Sequence, residues 1–248
     1  MATPTVSGGP AGGREDGWSG GVGYFSHNMK HMTHNNYDEK KVEILEDEKG
    51  YFFCDTNSQT TNYLVQKGAQ VTLIDIITSG KRADSLVTVE LVGDGASVDI
   101  YGLFFGKAQD VFTINHTIRP LAPHTTSNIN VRGVLDGQSR ASYSGVIEIA
   151  NGMNGCSGHE EIHTLLVSEN AHMEAVPNLD IGNNDVQCSH AVTIATVDEL
   201  KKFYLESRGL SETEAVDAVV RGHVVGLMDG IRDEKIKNEI TKKLVDFL

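Results

Sequence analysis

The sequence predicts a mainly β protein that ends in a helical subdomain. Two observations predict it. Between Lys41 and Thr193 the chain consists of short runs rich in Val, Ile, Thr, Phe and Tyr, such as QVTLIDII, SLVTVELV and NINVRGVL, separated by glycine and by Asp–Gly and Asn–Gly pairs. After Thr196 the apolar residues instead follow a helical period, with capping residues at the expected places.

A weak internal repeat runs through the β-rich part. Gly68–Val71, Gly95–Val98 and Asn170–Met173 each place a turn residue and then Ala before an extended stretch. Short strands with turns at nearly regular intervals are typical of a sandwich, a barrel or a stacked β-solenoid. The repeat is irregular, and periodicity alone leaves the three architectures open.

Three helices are expected at the C-terminal end. A capping box at Thr196 to Glu199 begins the first helix, and a second at Ser211 to Glu214 begins the next. Gly209 suits the left-handed position that ends a helix. The predicted helices are Thr196–Arg208, Glu212–Asp229 and Asp233–Phe247. The predicted domains are a flexible Gly- and His-rich lead-in at 1–37, a β core at 38–195 and the helical subdomain at 196–248.

Composition limits the partners and the compartment. The formal net charge is −13, from 34 acidic and 21 basic residues, and no basic block is long enough to follow a phosphate backbone, so nucleic acid is not an expected partner. No apolar run approaches the ~20 residues that span a bilayer, and the N-terminus has no apolar signal core. Three cysteines at long spacings do not form a disulfide framework, which favours a reducing, cytoplasmic setting. His27, His31 and His34 are interpreted as part of a solvated segment.

One motif suggests a zinc hydrolase. His159–Glu160–Glu161–Ile162–His163 is a literal H-E-x-x-H, which binds zinc when a helix places both histidines one turn apart. Here a turn-like NGMNGCSG precedes the motif and a strand-like TLLVS follows it. In an extended chain His159 and His163 would lie ~13 Å apart, too far to share one zinc. We therefore interpret the motif as a coincidence of spacing.

A second candidate site is the pair Cys188 and His190. Side chains two residues apart on a strand share a face, so a thiol and an imidazole would point the same way. Thiolate and imidazole suit iron–sulfur clusters, zinc or copper. One pair cannot complete a four-ligand site, whereas two copies across a dimer axis could. Cys156 extends the constellation, while Cys54 is interpreted as a buried, inert cysteine.

The remaining motifs are less specific. His116 and His124 flank a polar loop made rigid by Pro120 and Pro123, where hydrogen-bonded turn histidines are the common outcome. The sequence has no G-x-x-x-x-G-K-[ST] loop, no G-x-G-x-x-G after a strand and no G-x-S-x-G elbow. The chain is therefore not expected to hydrolyse a nucleotide itself.

Two long stretches resemble a known family. VFTINHTIRPLAPHTTSNINVRGVLDGQSRASYSGVIEI and VPNLDIGNNDVQCSHAVTIATVDELKKFYLESRGLSETEA are similar to the core of the SufB/SufD family, the scaffold subunits of the SUF iron–sulfur cluster assembly machinery. The resemblance covers residues 110–222, and more loosely 40–110. It implies a right-handed parallel β-helix followed by a helical subdomain.

The resemblance also implies partners and site residues. It implies pairing along the β-helix with an identical or SufB-like chain, a transient iron–sulfur cluster at that interface, and docking of a SufC-like ABC ATPase on the helices. Cys188-Ser189-His190 matches the segment whose histidine lies at the dimer interface in SufD-like members, which makes Cys188 and His190 the cluster candidates. The segment matching the ATPase contact runs from Phe203 to Ala215, and the implied contact residues are Phe203, Tyr204, Arg208, Gly209, Leu210 and Glu214.

The sequence departs from the family in one informative place. SufB-like members carry a cysteine just before the strand that matches TLLVS, whereas this chain has Ile162 and His163 there. The chain is thus more similar to SufD or to a short ancestral scaffold. Cys156, Glu161 and His163 are alternative cluster ligands suggested by residue type and position.

Three hypotheses follow. The first is a non-catalytic scaffold that assembles or transfers an iron–sulfur cluster at a subunit interface, driven by a separate ATPase. The second is a structural β-solenoid subunit that binds partners and no metal. The third, a zinc hydrolase, requires residues 159–163 to be helical.

Overall fold

The computed structural model describes residues 24–25, 32–34, 39–53, 60–78, 82–231 and 233–248. The strands are β1 Tyr24–Phe25, β2 Met32–His34, β3 Glu39–Ile44, β4 Lys49–Phe53, β5 Thr60–Val65, β6 Gln70–Thr78, β7 Arg82–Leu91, β8 Ser97–Gly106, β9 Val111–Pro120, β10 Thr126–Leu135, β11 Arg140–Ile149, β12 Cys156–Leu166, β13 His172–Ile181 and β14 Val186–Thr196. The helices are α1 Glu199–Ser207, α2 Glu212–Met228 and α3 Glu234–Phe247.

The strands wind into a flattened solenoid. Sheet A has the order β1-β4-β6-β8-β10-β12-β14, and sheet B the order β13-β11-β9-β7-β5-β3-β2. From β3 onwards successive strands alternate between the sheets, so each strand pairs in parallel with the strand two places along the chain. The pairs β1–β4 and β2–β3 are antiparallel. The predicted fold class is confirmed as a mainly parallel β-solenoid of about five turns with three C-terminal helices. This pairing selects the solenoid among the three architectures that periodicity left open.

Alternation along the strands places the core between the two sheets. In β9, for example, Phe112, Ile114, His116 and Ile118 are buried while the residues between them are more exposed. These inward positions stack from coil to coil into one apolar column. The run Leu103–Phe105 in β8 is buried throughout, because helices cover the outer face of sheet A there.

The turns explain why the sequence repeat looks irregular. Left-handed residues stack at one corner of the solenoid, where the amide of each bonds a carbonyl of the next coil. Some of these residues are glycine, as at Gly68 and Gly95, but His124 takes the same conformation with φ 56°. Its ring Nδ1 lies 2.8 Å from Asp94 Oδ1 in the preceding turn. The recurring element at this corner is therefore a backbone conformation that several residue types adopt, whereas Asn170–Met173 lies at the turn from β12 to β13, outside this corner.

The three predicted helices are present, and one predicted cap is wrong. Asp198, not Thr196, caps α1, since its carboxylate accepts hydrogen bonds from the amides of Leu200 and Lys201. β14 continues through Thr196, so that residue pairs with β12 and is not free to cap the helix. The second capping box is confirmed: Ser211 and Glu214 bond each other's backbone amides.

Helices α2 and α3 pack on the outer face of sheet A. Val220, Val224 and Leu227 of α2 join residues of α3 against β6, β8, β10 and β12 in a second core. His223 joins α2 to the sheet, because its Nε2 donates a hydrogen bond to the carbonyl of Gly133 at 3.1 Å. Burial lowers the pKa of His223 to about 4, with the nearby Arg132 charge acting in the same direction.

Several of the predicted features lie on residues that the structure does not describe. His27, His31 and Cys54 lie outside the described residues, as does most of the predicted lead-in at 1–37, apart from β1 and β2. The domain boundaries therefore stay a prediction. Within the described ranges, no helix has both the length and the apolar character needed to cross a bilayer.

Candidate functional site at the terminal coil

Cys188 and His190 lie on the strand that ends sheet A. β14 pairs with β12 on one side, and no described strand pairs with its other edge. Val186 and Cys188 pack against the solenoid core, so these alternate residues and His190 share the inward face of the strand. Ser189, between them, faces outward and bonds His159 Nδ1 at 2.8 Å. The pair thus points the same way, at an open end of the molecule.

The two side chains differ in exposure. The His190 side chain is exposed, and Cys188 is half-buried. Burial raises the pKa of the Cys188 thiol and the neighbouring Cys156 adds to the rise, against a backbone hydrogen bond from Gly158 that lowers it. Cys188 therefore rests as a thiol, and a metal that binds it must displace the proton.

The row beneath this pair is formed by β12. Gly158 is the register partner of Cys188, and Glu160 is the partner of His190. A Cβ on Gly158 would lie 3.3 Å from the Cys188 sulfur, so the thiol rests directly on the glycine. Glu160 points inward and is fully buried. Burial raises the pKa of Glu160 to about 7, although a hydrogen bond from Tyr143 lowers it in part.

Glu160 ends a line of buried polar groups that crosses the solenoid. The Tyr143 hydroxyl donates to Glu160 Oε1 at 3.1 Å and lies 3.4 Å from His116 Nδ1. His116 Nε2 lies 2.9 Å from Asp75 Oδ2, which also accepts from the Ser85 hydroxyl at 2.7 Å. All five side chains are buried. We call them the interior ladder.

Two glycines make room for the ladder. A Cβ on Gly145 would lie 1.4 Å from Glu160 Oε1, and one on Gly102 would lie 3.2 Å from the His116 ring. Sequence reasoning missed the ladder because its members lie far apart in the chain. The signal was nevertheless present: Asp75 and His116 each sit between buried aliphatic residues at inward positions of a strand.

Two of the alternative cluster ligands, Glu161 and His163, lie on the opposite face of sheet A from Cys188 and His190. Glu161 and His163 are on the outer face of sheet A, where they form an ion pair with each other, while Cys188 and His190 are on the inner face. Arg132 Nη2 lies 3.9 Å from Glu161, and hydrogen bonding to His163 lowers the pKa of that carboxyl. The structure therefore does not bring Glu161 and His163 to the Cys188–His190 pair.

Cys156 faces inward but is already engaged. Its sulfur accepts a hydrogen bond from the Thr125 hydroxyl at 3.2 Å, and its side chain is fully buried. In the part of the chain that the structure describes, no group of three or more His, Cys, Asp or Glu residues could hold a metal ion. Within the described residues, the terminal coil thus presents two potential donors, Cys188 and His190.

The H-E-x-x-H motif is part of strand β12. His159 and His163 face outward, whereas Glu160 between them faces the interior. The motif therefore lacks the helix that a zinc hydrolase needs, and its glutamate is on the wrong face to activate a metal-bound water.

The helical hairpin exposes an apolar surface. α1 packs against α2 and has no buried residue. Leu200 is 80% exposed, Phe203 69% and Tyr204 55%. Leu200, Tyr204 and Leu205 line a groove of about 410 Å³ against Ala218 and Val219 of α2. We call this the hairpin groove.

The other predicted contact residues shape the hairpin. The Arg208 guanidinium lies 5.0 Å from the centre of the Tyr204 ring. Gly209 has φ 98°, which glycine adopts without strain at this turn, and Leu210 follows it half-buried. Glu214 is exposed, and the Ser211 backbone amide holds its pKa below the usual range.

Comparison with known proteins identifies the family. Residues 54–223 match the family model described as SUF system FeS cluster assembly, SufBD core domain. An iron–sulfur cluster assembly SufBD family protein of Mycobacterium tuberculosis is 32% identical over 168 residues, which are 68% of this chain and 20% of that protein. The iron–sulfur cluster assembly protein SufD of Escherichia coli is 28% identical over 111 residues, 45% of this chain and 26% of the relative.

The match with SufD extends to a second organism. SufD of Bacillus subtilis is 26% identical over 153 residues, which are 62% of this chain and 35% of that protein. The chain thus spans between about a fifth and about a third of the length of these relatives. The matched region contains most of the solenoid, the Cys188–His190 strand and the helical hairpin, and the chain belongs to the SufBD core family of the SUF iron–sulfur cluster assembly system.

Proposed function

We propose that this protein is a non-catalytic scaffold subunit on which an iron–sulfur cluster is assembled and from which it is transferred. It works as a dimer together with a SufC-like ABC ATPase. The observation that carries the proposal is the position of Cys188 and His190, which share the inward face of a strand whose second edge pairs with no strand that the structure describes. Family membership supports the role in cluster assembly.

The donor set fits iron but is incomplete. Thiolate and imidazole both bind iron in proteins, and a cluster normally needs four protein ligands. One chain supplies two of these at the terminal coil. A second chain, either identical or SufB-like, that packs on the same end would bring its own donors to the cluster.

The terminal coil has the properties of an interface. Among the described strands, β13 and β14 end the two sheets. The backbone N–H and C=O groups on their outer edges are therefore available to pair with another chain. Val192 and Ile194, at inward positions of β14, are 38% and 43% exposed. Pairing of two such ends would cover this apolar surface and extend the solenoid across both chains.

The hairpin groove is the proposed ATPase contact. Leu200 and Tyr204 in the groove are exposed although α1 and α2 are well capped, so the surface is formed before any partner arrives. The sequence carries no P-loop, so nucleotide hydrolysis must be supplied by the partner. Movement of the ATPase would reach the solenoid through α2, which His223 holds to β10.

Anaerobic reconstitution tests the proposal. Purified protein is incubated with ferrous iron and sulfide, and bound cluster is measured by visible absorbance and by iron and sulfide content. We expect Cys188→Ala and His190→Ala to lose most of the cluster. Ser189→Ala is the matched control, because it changes the outward residue between them. Equal cluster content in all four proteins would overturn the ligand assignment.

The competing hypothesis is a structural β-solenoid subunit that binds partners without metal. A chain that captures the ATPase and dimerises but never takes up a cluster would support it. The cytoplasmic location, which rests on cysteine usage, and the closer similarity to SufD stay predictions.

A further inference from the structure

Glu160 is a buried carboxyl group with one free oxygen. Its Oε1 accepts the hydrogen bond from Tyr143, but its Oε2 has no hydrogen-bond partner among the described residues. A buried oxygen left without a partner costs free energy, so such an atom needs an explanation. Chance does not explain the position of this carboxyl group, because Gly145 has no side chain and so leaves the space that the group fills.

The carboxyl group is also held in place. Tyr143, His116 and Asp75 extend from Glu160 through the interior to β6, and each is fully or almost fully buried. Buried, hydrogen-bonded side chains have few alternative conformations, so Glu160 has little freedom to turn away. Its unused oxygen is therefore a fixed acceptor inside the last coil but one.

His190 is the next residue on the same inward face. Glu160 and His190 are register partners on neighbouring strands, which lie about 4.8 Å apart in a sheet. Among the described residues, no further strand pairs with β14 to cover His190, and the His190 ring makes no hydrogen bond. A histidine that binds a metal through one ring nitrogen usually donates a hydrogen bond from the other to a carboxylate or carbonyl.

We propose that Glu160 is the positioning residue of His190. When a metal is bound at the terminal coil, Glu160 Oε2 accepts a hydrogen bond from one ring nitrogen of His190, and the other nitrogen is thereby presented to the metal. Glu160 itself does not touch the metal. This inference rests on the proposed function, because it takes His190 to be a ligand.

The contrast with Glu161 shows why the face matters. Glu161 is one residue further along β12 and carries the same carboxyl group, but it faces outward and is bonded to His163. Of these two carboxyl groups, Glu160 is the one that combines the inward face, an oxygen without a partner among the described residues and the register of His190.

Zinc alone serves as the probe, because it is diamagnetic and accepts thiolate and imidazole ligands. Protein labelled with ¹⁵N-histidine is titrated with Zn²⁺, and the His190 ring signals, assigned with His190→Gln, report both occupancy and the remaining ring proton. In the unaltered protein we expect one metal-bound nitrogen and one N–H that exchanges slowly with water. In Glu160→Met we expect fast exchange of that proton and zinc affinity lower by about 10- to 100-fold.

Two further variants separate positioning from folding. Glu160→Gln keeps the shape and an acceptor oxygen, so ring-proton protection should be largely retained while zinc affinity falls less than in Glu160→Met. Tyr143→Phe leaves the carboxyl group but removes its anchor, and should weaken zinc binding by a few-fold even if Glu160→Met does not fold. Glu148→Met, on the outer face of sheet B beside Arg119, is the matched control and should change neither signal.

The outcomes distinguish this inference from the proposed function. If His190→Gln leaves zinc binding at Cys188 unchanged, His190 is not a ligand and both ideas are overturned. If His190→Gln weakens zinc binding but Glu160→Met changes neither affinity nor ring-proton exchange, only the positioning role of Glu160 is overturned. Loss of both properties in Glu160→Met, with Glu148→Met unaffected, supports it.

Discussion

Gly145 and Glu160 face each other across the solenoid with no room for a side chain between them. A Cβ on Gly145 would lie 1.4 Å from Glu160 Oε1, far inside van der Waals contact. The glycine belongs to sheet B and the glutamate to sheet A, so this close approach couples the two sheets at the coil beneath Cys188 and His190.

Gly145→Ala should therefore destabilise the protein. The added methyl group displaces a buried carboxyl group, and we expect a loss of about 2 kcal/mol or more in the free energy of unfolding. Urea denaturation measures it. Gly222→Ala should instead be neutral or stabilising by up to about 1 kcal/mol. Gly222 lies in α2, and a Cβ added there would meet no neighbouring atom within 4 Å. Glu160→Ala should relieve part of the Gly145→Ala loss in the double variant, and strictly additive losses would contradict the contact.

Glu160 should make stability depend on pH. Its pKa is about 7 in the folded protein against 4.5 for the unperturbed group, so the fold favours the protonated form. The stabilising contribution is complete below pH 4.5 and is lost as pH rises through 7, by up to about 3 kcal/mol. Glu160→Gln cannot ionise, so its stability relative to the unaltered protein should improve between pH 5 and pH 8. Unfolding curves measured at both pH values test this, and a constant difference between the two proteins would contradict it.

His223 should act with the opposite sign. Its pKa is about 4 in the folded protein against the usual 6.5, so the fold favours the neutral ring. The contribution is complete above pH 6.5 and is lost as pH falls through 4, by up to about 3 kcal/mol. His223→Gln should consequently be less acid-sensitive than the unaltered protein in chemical unfolding. His172→Gln, at an exposed position on β13, should show no such difference.

The exposed face of α1, which includes Tyr204 in the hairpin groove and Phe203 outside it, should bind the ATPase through these aromatic residues. Phe203→Ala should weaken binding of a SufC-like ATPase at least about tenfold, because truncation of a central aromatic commonly costs more than 1 kcal/mol. The free energy of unfolding of the Phe203→Ala variant should change by less than about 0.5 kcal/mol, since Phe203 is 69% exposed. Val245→Ala, 54% exposed on α3, is the control. Equal ATPase affinities in isothermal titration calorimetry would place the contact elsewhere.

The open end of the solenoid should mediate pairing. Val192 lies on the inward face of β14 and is 38% exposed, so Val192→Asp would bury a charge if two ends met. Sedimentation velocity should show a dimer for the unaltered chain and a monomer for Val192→Asp. Val225→Asp, 48% exposed on α2, should remain dimeric. A chain that is monomeric without alteration would show that its partner is a different protein.

Local signals predicted local structure well. Ser211 and Glu214 form the capping box expected from their spacing, and Gly209 takes the left-handed conformation that ends α1. Thr196 failed as a cap because pairing of β14 with β12 continues through that residue and leaves the role to Asp198. The first helix begins just after the pairing of β14 with β12 ends, and a four-residue motif does not show where pairing with a distant strand will stop.

The sequence by itself determined the strand content, the C-terminal helices and the shared face of Cys188 and His190, because strand alternation and helix capping depend on residues a few positions apart. Only the tertiary structure decided that Glu160 faces inward beneath His190 while Glu161 faces out. It also decided that, among the described residues, β14 ends a sheet and the apolar face of α1 is left uncovered. It also joined Asp75, His116, Tyr143 and Glu160 into one ladder. These four side chains come from four separate strands, and their meeting depends on how parallel strands stack, which no local pattern encodes.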